Sequence, residues 1–132
     1  MSRDSQLSDL QLAIMRVLWQ RGEAPVATVH EDLAPERGLA VTTVATVLSR
    51  LEKRGLVRHR TEGRQFVFRP SISEQEVRRS MVADLTDRLF AGDATALMSH
   101  LLTSREIEPG DLEMVKALLK KLEDETEESD AD

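Results

Sequence analysis

Val41-Thr-Thr-Val-Ala-Thr-Val-Leu-Ser-Arg-Leu-Glu-Lys-Arg-Gly-Leu-Val57 runs directly into Arg58-His-Arg-Thr-Glu-Gly-Arg-Gln-Phe-Val-Phe-Arg-Pro70, and the two parts obey different periods. In the first, Val44, Val47, Leu48 and Leu51 recur at helical spacing and form a compact apolar stripe. Thr42, Thr46, Ser49 and Lys53 fall on the opposite side, flanked by Ala45, Thr43 and Arg50. The spacing predicts a helix over Val41–Arg54 that stops at Gly55, with Lys53 and Arg54 at the negative end of its dipole. In the second part, Phe66 and Phe68 alternate with Gln65, Val67 and Arg69 beyond the turn-forming Gly63, which predicts a β-hairpin closed by Pro70. Phe66 and Phe68 share one face of that hairpin and are expected to point into the core.

Upstream, Ser8-Asp-Leu-Gln11 matches a capping box, and Leu7 and Leu12 sit where a hydrophobic staple would. Leu10, Ile14, Val17 and Leu18 then mark a first helix to about Gln20, stopped at Gly22, with Trp19 as a core anchor. Val26, Val29 and Leu33 suggest a second, short helix, opened by Pro25 and stopped near Pro35 and Gly38. Three short helices followed by a hairpin is the order of a winged helix-turn-helix, here assigned to residues 1–70.

Downstream the pattern is purely helical. Ser73-Glu-Gln-Glu76 is a second capping box, followed by an apolar row of Val77, Met81, Leu85 and Leu89. Gly92-Asp93 breaks the chain and caps a short helix through Leu102 that carries Leu97 and Leu101, and Pro109 opens a last helix with Leu112, Val115, Leu119 and Leu122. Three one-sided rows in about sixty residues make a poor independent core. A second copy of the chain is the natural cover, so residues 71–122 are expected to be a helical dimerisation domain. The fold class is therefore mainly α with a small β-hairpin wing.

Composition narrows the function. The chain has 132 residues, 40% apolar, 32% charged and 3% aromatic, and no cysteine. That excludes disulfide frameworks, thiolate zinc sites and cysteine catalysis. The net charge of -6 hides a division: residues 1–70 hold 11 Lys and Arg against 8 Asp and Glu, a balance of +3, and the remainder carries -9. Within residues 50–69, seven cations face only Glu52 and Glu62, enough to set up an attractive field for an anion on an acidic protein. The last ten residues hold seven acids and almost nothing apolar, and residues 123–132 are expected to form an acidic disordered tail. No stretch is apolar enough to enter a membrane and the first residues lack a signal-like apolar region, so a cytoplasmic protein is expected.

The outer face of the 41–54 helix has what a helix in a major groove needs. Short side chains let the backbone approach, hydroxyls bond phosphates or base edges, Thr and Ala methyls meet thymine methyls, and Arg reads guanine or holds phosphate. The DNA-contacting set on this helix is thus Thr42, Thr43, Ala45, Thr46, Ser49, Arg50 and Lys53. Arg60 and Arg64, with Arg58 and Arg69, are placed around the hairpin tip to straddle a sugar-phosphate backbone. His59 is a further phosphate contact. His30, His59 and His100 lie on different elements without helical partners, so no metal or other cofactor is expected. No phosphate loop, nucleophile elbow or paired acid motif supports an enzyme. The rival to DNA binding is a winged-helix module whose basic wing meets an acidic protein.

The run from Val41 to Val57 followed by Glu62-Gly-Arg-Gln-Phe-Val-Phe-Arg-Pro70, with Leu18-Trp19, Gly22 and Asp87-Arg-Leu-Phe-Ala-Gly92, resembles the penicillinase-repressor family of BlaI/MecI/CopY type over about residues 7–122. The resemblance implies a homodimeric winged-helix transcriptional repressor whose N-terminal domains bind an inverted-repeat operator in double-stranded DNA. Half-sites about one helical turn apart follow. The copper-responsive branch of the family ends in a cysteine-rich motif that this chain lacks. The β-lactam branch is inactivated when a membrane sensor protease cuts the second C-terminal helix, and alignment places that bond at His100-Leu101. Pro25 stands where relatives often carry a Thr cap.

Overall fold

The computed structural model describes residues 6–104 and 107–130. Its elements are α1 (Asp9–Arg21), β1 (Ala24–Pro25), α2 (Val26–Arg37), α3 (Val41–Lys53), β2 (Val57–Glu62), β3 (Gln65–Pro70), α4 (Glu74–Phe90), α5 (Ala94–Thr103) and α6 (Pro109–Asp130). The chain divides into two compact units, one up to Ala83 and one from Asp84 onward.

In the first unit, α1 starts where the capping box places it. Ser8 Oγ accepts from the Gln11 amide at 3.2 Å, and Gln11 Oε1 accepts from the Ser8 amide at 3.0 Å. α2 runs four residues past Leu33, through Pro35 and up to the left-handed Gly38. Pro35 forfeits one hydrogen bond, but so near the helix end there is little left for it to break. The strands β2 and β3 pair antiparallel from Val57↔Pro70 to Glu62↔Gln65, leaving Gly63 and Arg64 as a two-residue turn with Gly63 at φ +64°. A third strand, β1, pairs with β3 at Ala24↔Phe68 and Pro25↔Val67, so β3 is central.

The core is built from Ile14, Met15, Leu18, Val29, Val44, Leu48, Leu51 and Leu56, all fully buried. Each large side chain among them contributes about 1.5–3 kcal/mol of transfer free energy. Trp19 packs against this core and its Nε1–H donates to the Ile72 carbonyl at 2.9 Å. Phe68 is buried as expected, but Phe66 is 50% exposed, a correction to its assignment. Both face the same way, but Phe66 lies nearer the hairpin tip, where its ring stacks on His59 instead of entering the core. Val67, on the other face of β3, is buried at its pairing with β1.

The first unit also extends past the expected boundary at Pro70. Ile72 and Val77 belong to its core, and Met81 packs half-buried against it. Val77 is only 1% exposed, which removes it from the dimerisation row, and Met81 is largely committed in the same way. The first two turns of the apolar row along α4 thus close the winged-helix core.

In the second unit, Asp93 caps α5 by accepting from the Ala96 amide at 3.1 Å. The turn before it carries Ala91 at φ +51° and Gly92 at φ +83°. Among the described residues, none on α5 or α6 is buried. Leu89, Met98, Met114 and Leu118 are each more than half exposed. α6 continues to Asp130, so residues 123–130 form helix where a disordered tail was expected. Extension of a nucleated helix costs little per residue, Glu is a good helix former, and Thr126 returns its hydroxyl proton to the Leu122 carbonyl at 2.9 Å.

Candidate nucleic-acid interface

The stripe of Val44, Val47, Leu48 and Leu51 buries one side of α3 and thereby fixes what the other side presents. Thr42, Thr43, Thr46, Ser49, Arg50 and Lys53 are all exposed, and Ala45 is half-buried at the margin. The Thr46 hydroxyl donates to the Thr42 carbonyl at 2.9 Å, which leaves its oxygen lone pairs free to accept. No side chain caps α3 at Ala40 or α2 at Pro25. The wing tip adjoins the start of α3: Pro25, Val26, Ala27, Val41, Arg64, Gln65 and Phe66 line a shallow groove of about 370 Å³. The first residue of α3 and the hairpin tip are thus neighbours in space.

The seven cations of residues 50–69 are not equivalent. Arg50, Lys53, Arg64 and Arg69 are exposed, and among the described residues no carboxylate forms an ion pair with them. Arg54 instead donates to the Gln6 carbonyl at 2.8 Å and to Gln11 Oε1 at 3.3 Å, joining the end of α3 to the start of α1. Arg58 donates to Ser71 Oγ at 3.3 Å. Arg60 is bound twice, by Glu23 at 2.7 Å and Glu62 at 2.6 Å. Those hydrogen bonds hold its guanidinium above its ordinary range and hold the Glu23 carboxyl below its own. A phosphate reaching Arg60 must compete with two carboxylates already in place.

His59 is likewise engaged. Its Nδ1 lies 2.8 and 2.7 Å from the two carboxylate oxygens of Glu52, and its backbone N–H donates to Glu52 Oε2 at 3.0 Å. The imidazole stacks on Phe66 with centroids 4.2 Å apart. Glu23, Glu52 and Phe66 therefore shape this surface although sequence reasoning assigned none of them to it. Glu23 lies 37 residues from Arg60, a separation at which no local pattern operates.

A three-helix unit with a basic hairpin, presenting a helix face of small hydroxyl and cationic side chains, defines a winged-helix domain of the DNA-binding kind. The chain belongs to the penicillinase repressor family, whose model matches residues 7–121. This family consists of transcriptional repressors, not enzymes. The chain is 25% identical to the penicillinase repressor of Bacillus licheniformis over 121 residues, 92% of this chain and 94% of that one. It is 36% identical to the transcriptional regulator BlaI of Mycobacterium tuberculosis over 104 residues, 77% and 75% of the two chains. The solution structure of the DNA-binding domain of the repressor BlaI superimposes with a TM-score of 0.51 at 34% identity, covering 58% of this chain and 93% of that one. Among the described residues, no helix is long and apolar enough to cross a membrane.

Proposed function

We propose that this protein is a cytoplasmic repressor that binds an inverted-repeat operator as a homodimer, with α3 in the major groove and the wing on the flanking backbone. The observation that carries this is the surface just described: exposed Thr42, Thr43, Thr46 and Ser49, with Arg50, Lys53 and Arg64 free of carboxylates, around a wing tip that adjoins α3. Ala45 lies at the margin of the same face and offers its methyl to a base. Arg60 takes a lesser part, because Glu23 and Glu62 already neutralise it.

Dimerisation is supported by what the second unit lacks. Leu85, Leu89, Leu101, Leu112 and Leu119 are all at least 40% exposed, Leu97 and Val115 are half-buried, and among the described residues of the unit none is buried. Apolar area of that extent is normally covered in a soluble protein. Joining two DNA-binding units raises operator affinity by making the second half-site an intramolecular contact. Release in this reading is cleavage at His100-Leu101 on α5 by a membrane sensor protease, which severs α6 from the rest of the dimer face. The bond lies among exposed residues.

Fluorescence anisotropy with the gene's own upstream fragment and a shuffled fragment, each across a salt series, tests the proposal. At least a hundredfold preference for the native fragment near physiological salt, at two chains per duplex, is expected. Equal and weak binding to both fragments would leave only a basic patch and refute the repressor assignment.

A further inference from the structure

The half of the hairpin beyond Phe68 has no buried residue of its own, and the Glu62–Arg60–Glu23 ion pairs tie it to the segment before β1 rather than to α3. Thr61, Glu62, Gly63, Arg64, Gln65 and Phe66 are all exposed, and a lone two-stranded hairpin is marginal in water. Among the described residues, every side-chain hydrogen bond from this hairpin to α3 goes through one residue, Glu52. Its carboxylate grips His59 at both backbone and ring, and the ring in turn carries Phe66 on its face. The chain of contacts runs from the recognition helix through Glu52 and His59 to Phe66, two positions from Arg64. A carboxylate is otherwise out of place here, since it opposes the phosphate that the surrounding cations attract.

Resting on the DNA-binding function proposed above, we infer that Glu52 and His59 are positioning residues: together they brace the wing against α3 so that Arg64 is held ready for the DNA backbone. Neither needs to touch DNA. A braced wing has surrendered its conformational freedom before binding, and the Arg64 contact is stronger by that amount. Without the brace the tip is tied to the rest of the unit only at Arg60, through Glu23, and the cost of ordering its Phe66 and Arg64 side offsets much of what Arg64 gains.

Two readouts separate this role from general stability. In the full-length protein, Arg64→Ala is measured against the upstream fragment in the native background and again with Glu52→Ala. The brace predicts about a tenfold loss in the native background and less than twofold in the unbraced one. Hydrogen exchange without DNA should show the amides of residues 59–66 exchanging at least tenfold faster in Glu52→Ala, with α1 to α3 unchanged. His59→Asn, which removes the ring from the other side, should reproduce both effects should Glu52→Ala fold poorly. Equal Arg64→Ala losses in both backgrounds, no loss in the native one, or unchanged wing exchange would each overturn the brace. If the native protein fails to discriminate the upstream fragment at all, the repressor function falls instead, and the exchange measurement still decides whether the brace exists.

Discussion

Arg60 and Arg64 lie four residues apart on the same hairpin with the same charge, and the structure predicts that replacing them by alanine has different consequences. Arg64 has no carboxylate partner among the described residues, whereas Arg60 is held at 2.7 and 2.6 Å by Glu23 and Glu62. A cation that neutralises one phosphate contributes about 0.9 to the slope of log affinity against log salt. In a dimer the Arg64→Ala change is made twice, so the slope should become shallower by about 1.8. Between 50 and 200 mM salt, a span of about 0.6 decades, the native protein should then lose roughly twelvefold more affinity than the variant. Arg60→Ala should leave the slope nearly unchanged and lower affinity only through the longer-range loss of charge. Glu23→Gln, which removes one competitor for Arg60, should raise affinity and steepen the slope. Anisotropy titrations at four or more salt concentrations on one operator fragment measure all three. Equal changes of slope for Arg60→Ala and Arg64→Ala would refute the distinction, and with it the claim that intramolecular pairing decides which wing cations meet DNA.

Four further outcomes follow from the same structure. Leu48 is fully buried at the centre of the first unit, so Leu48→Ala should destabilise it by about 2–5 kcal/mol in urea unfolding. Ala91 adopts φ +51°, where a β-carbon is disfavoured, and Ala91→Gly should raise the stability of the second unit by up to about 1 kcal/mol in thermal unfolding. The Arg21 guanidinium holds the Asp32 carboxyl below its ordinary value and Arg60 does the same for Glu23, so these pairs add stability above about pH 5 that is lost as pH falls through the lowered values. The double variant Asp32→Asn, Glu23→Gln should accordingly show a flatter decline of unfolding midpoint between about pH 5 and pH 2. A fragment ending at Ala83 carries the complete first core and should fold, sediment as a monomer and bind an operator about 10²- to 10⁴-fold more weakly than the full chain.

What was legible in the sequence is what short-range periodicity encodes. The α3 stripe and the Phe66/Phe68 alternation of β3 both give elements that form within a residue or so of their expected limits. The Ser8/Gln11 box was readable because both of its hydrogen bonds span three residues. β1 was not readable: two residues, one of them proline, carry no alternation, and the strand exists only because β3 offers it an edge. Val77 shows a subtler limit. Its spacing with Met81, Leu85 and Leu89 identifies an apolar row, but periodicity does not say which neighbour covers each turn of that row. Phe66 fails for the same reason, since alternation gives the face of a strand and not the distance over which a core lies beneath it.

The cations around the hairpin show why the site was only partly readable. Their number along residues 50–69 implies a basic patch, and the patch is real, but its members divide by partners that lie far away in sequence. Arg54 is consumed in joining α3 to α1, and Arg60 is neutralised from across the sheet. Among the described residues Arg50, Lys53, Arg64 and Arg69 remain exposed and without an ion pair, two on α3 and two on the hairpin. Charge density drew attention to this surface, whereas its pattern, the feature on which a particular operator depends, is set by which carboxylates the fold brings within 3 Å. Glu23, Glu52 and Glu62 thus help define the proposed DNA-binding surface by removing cations from it or by fixing where the remaining ones stand.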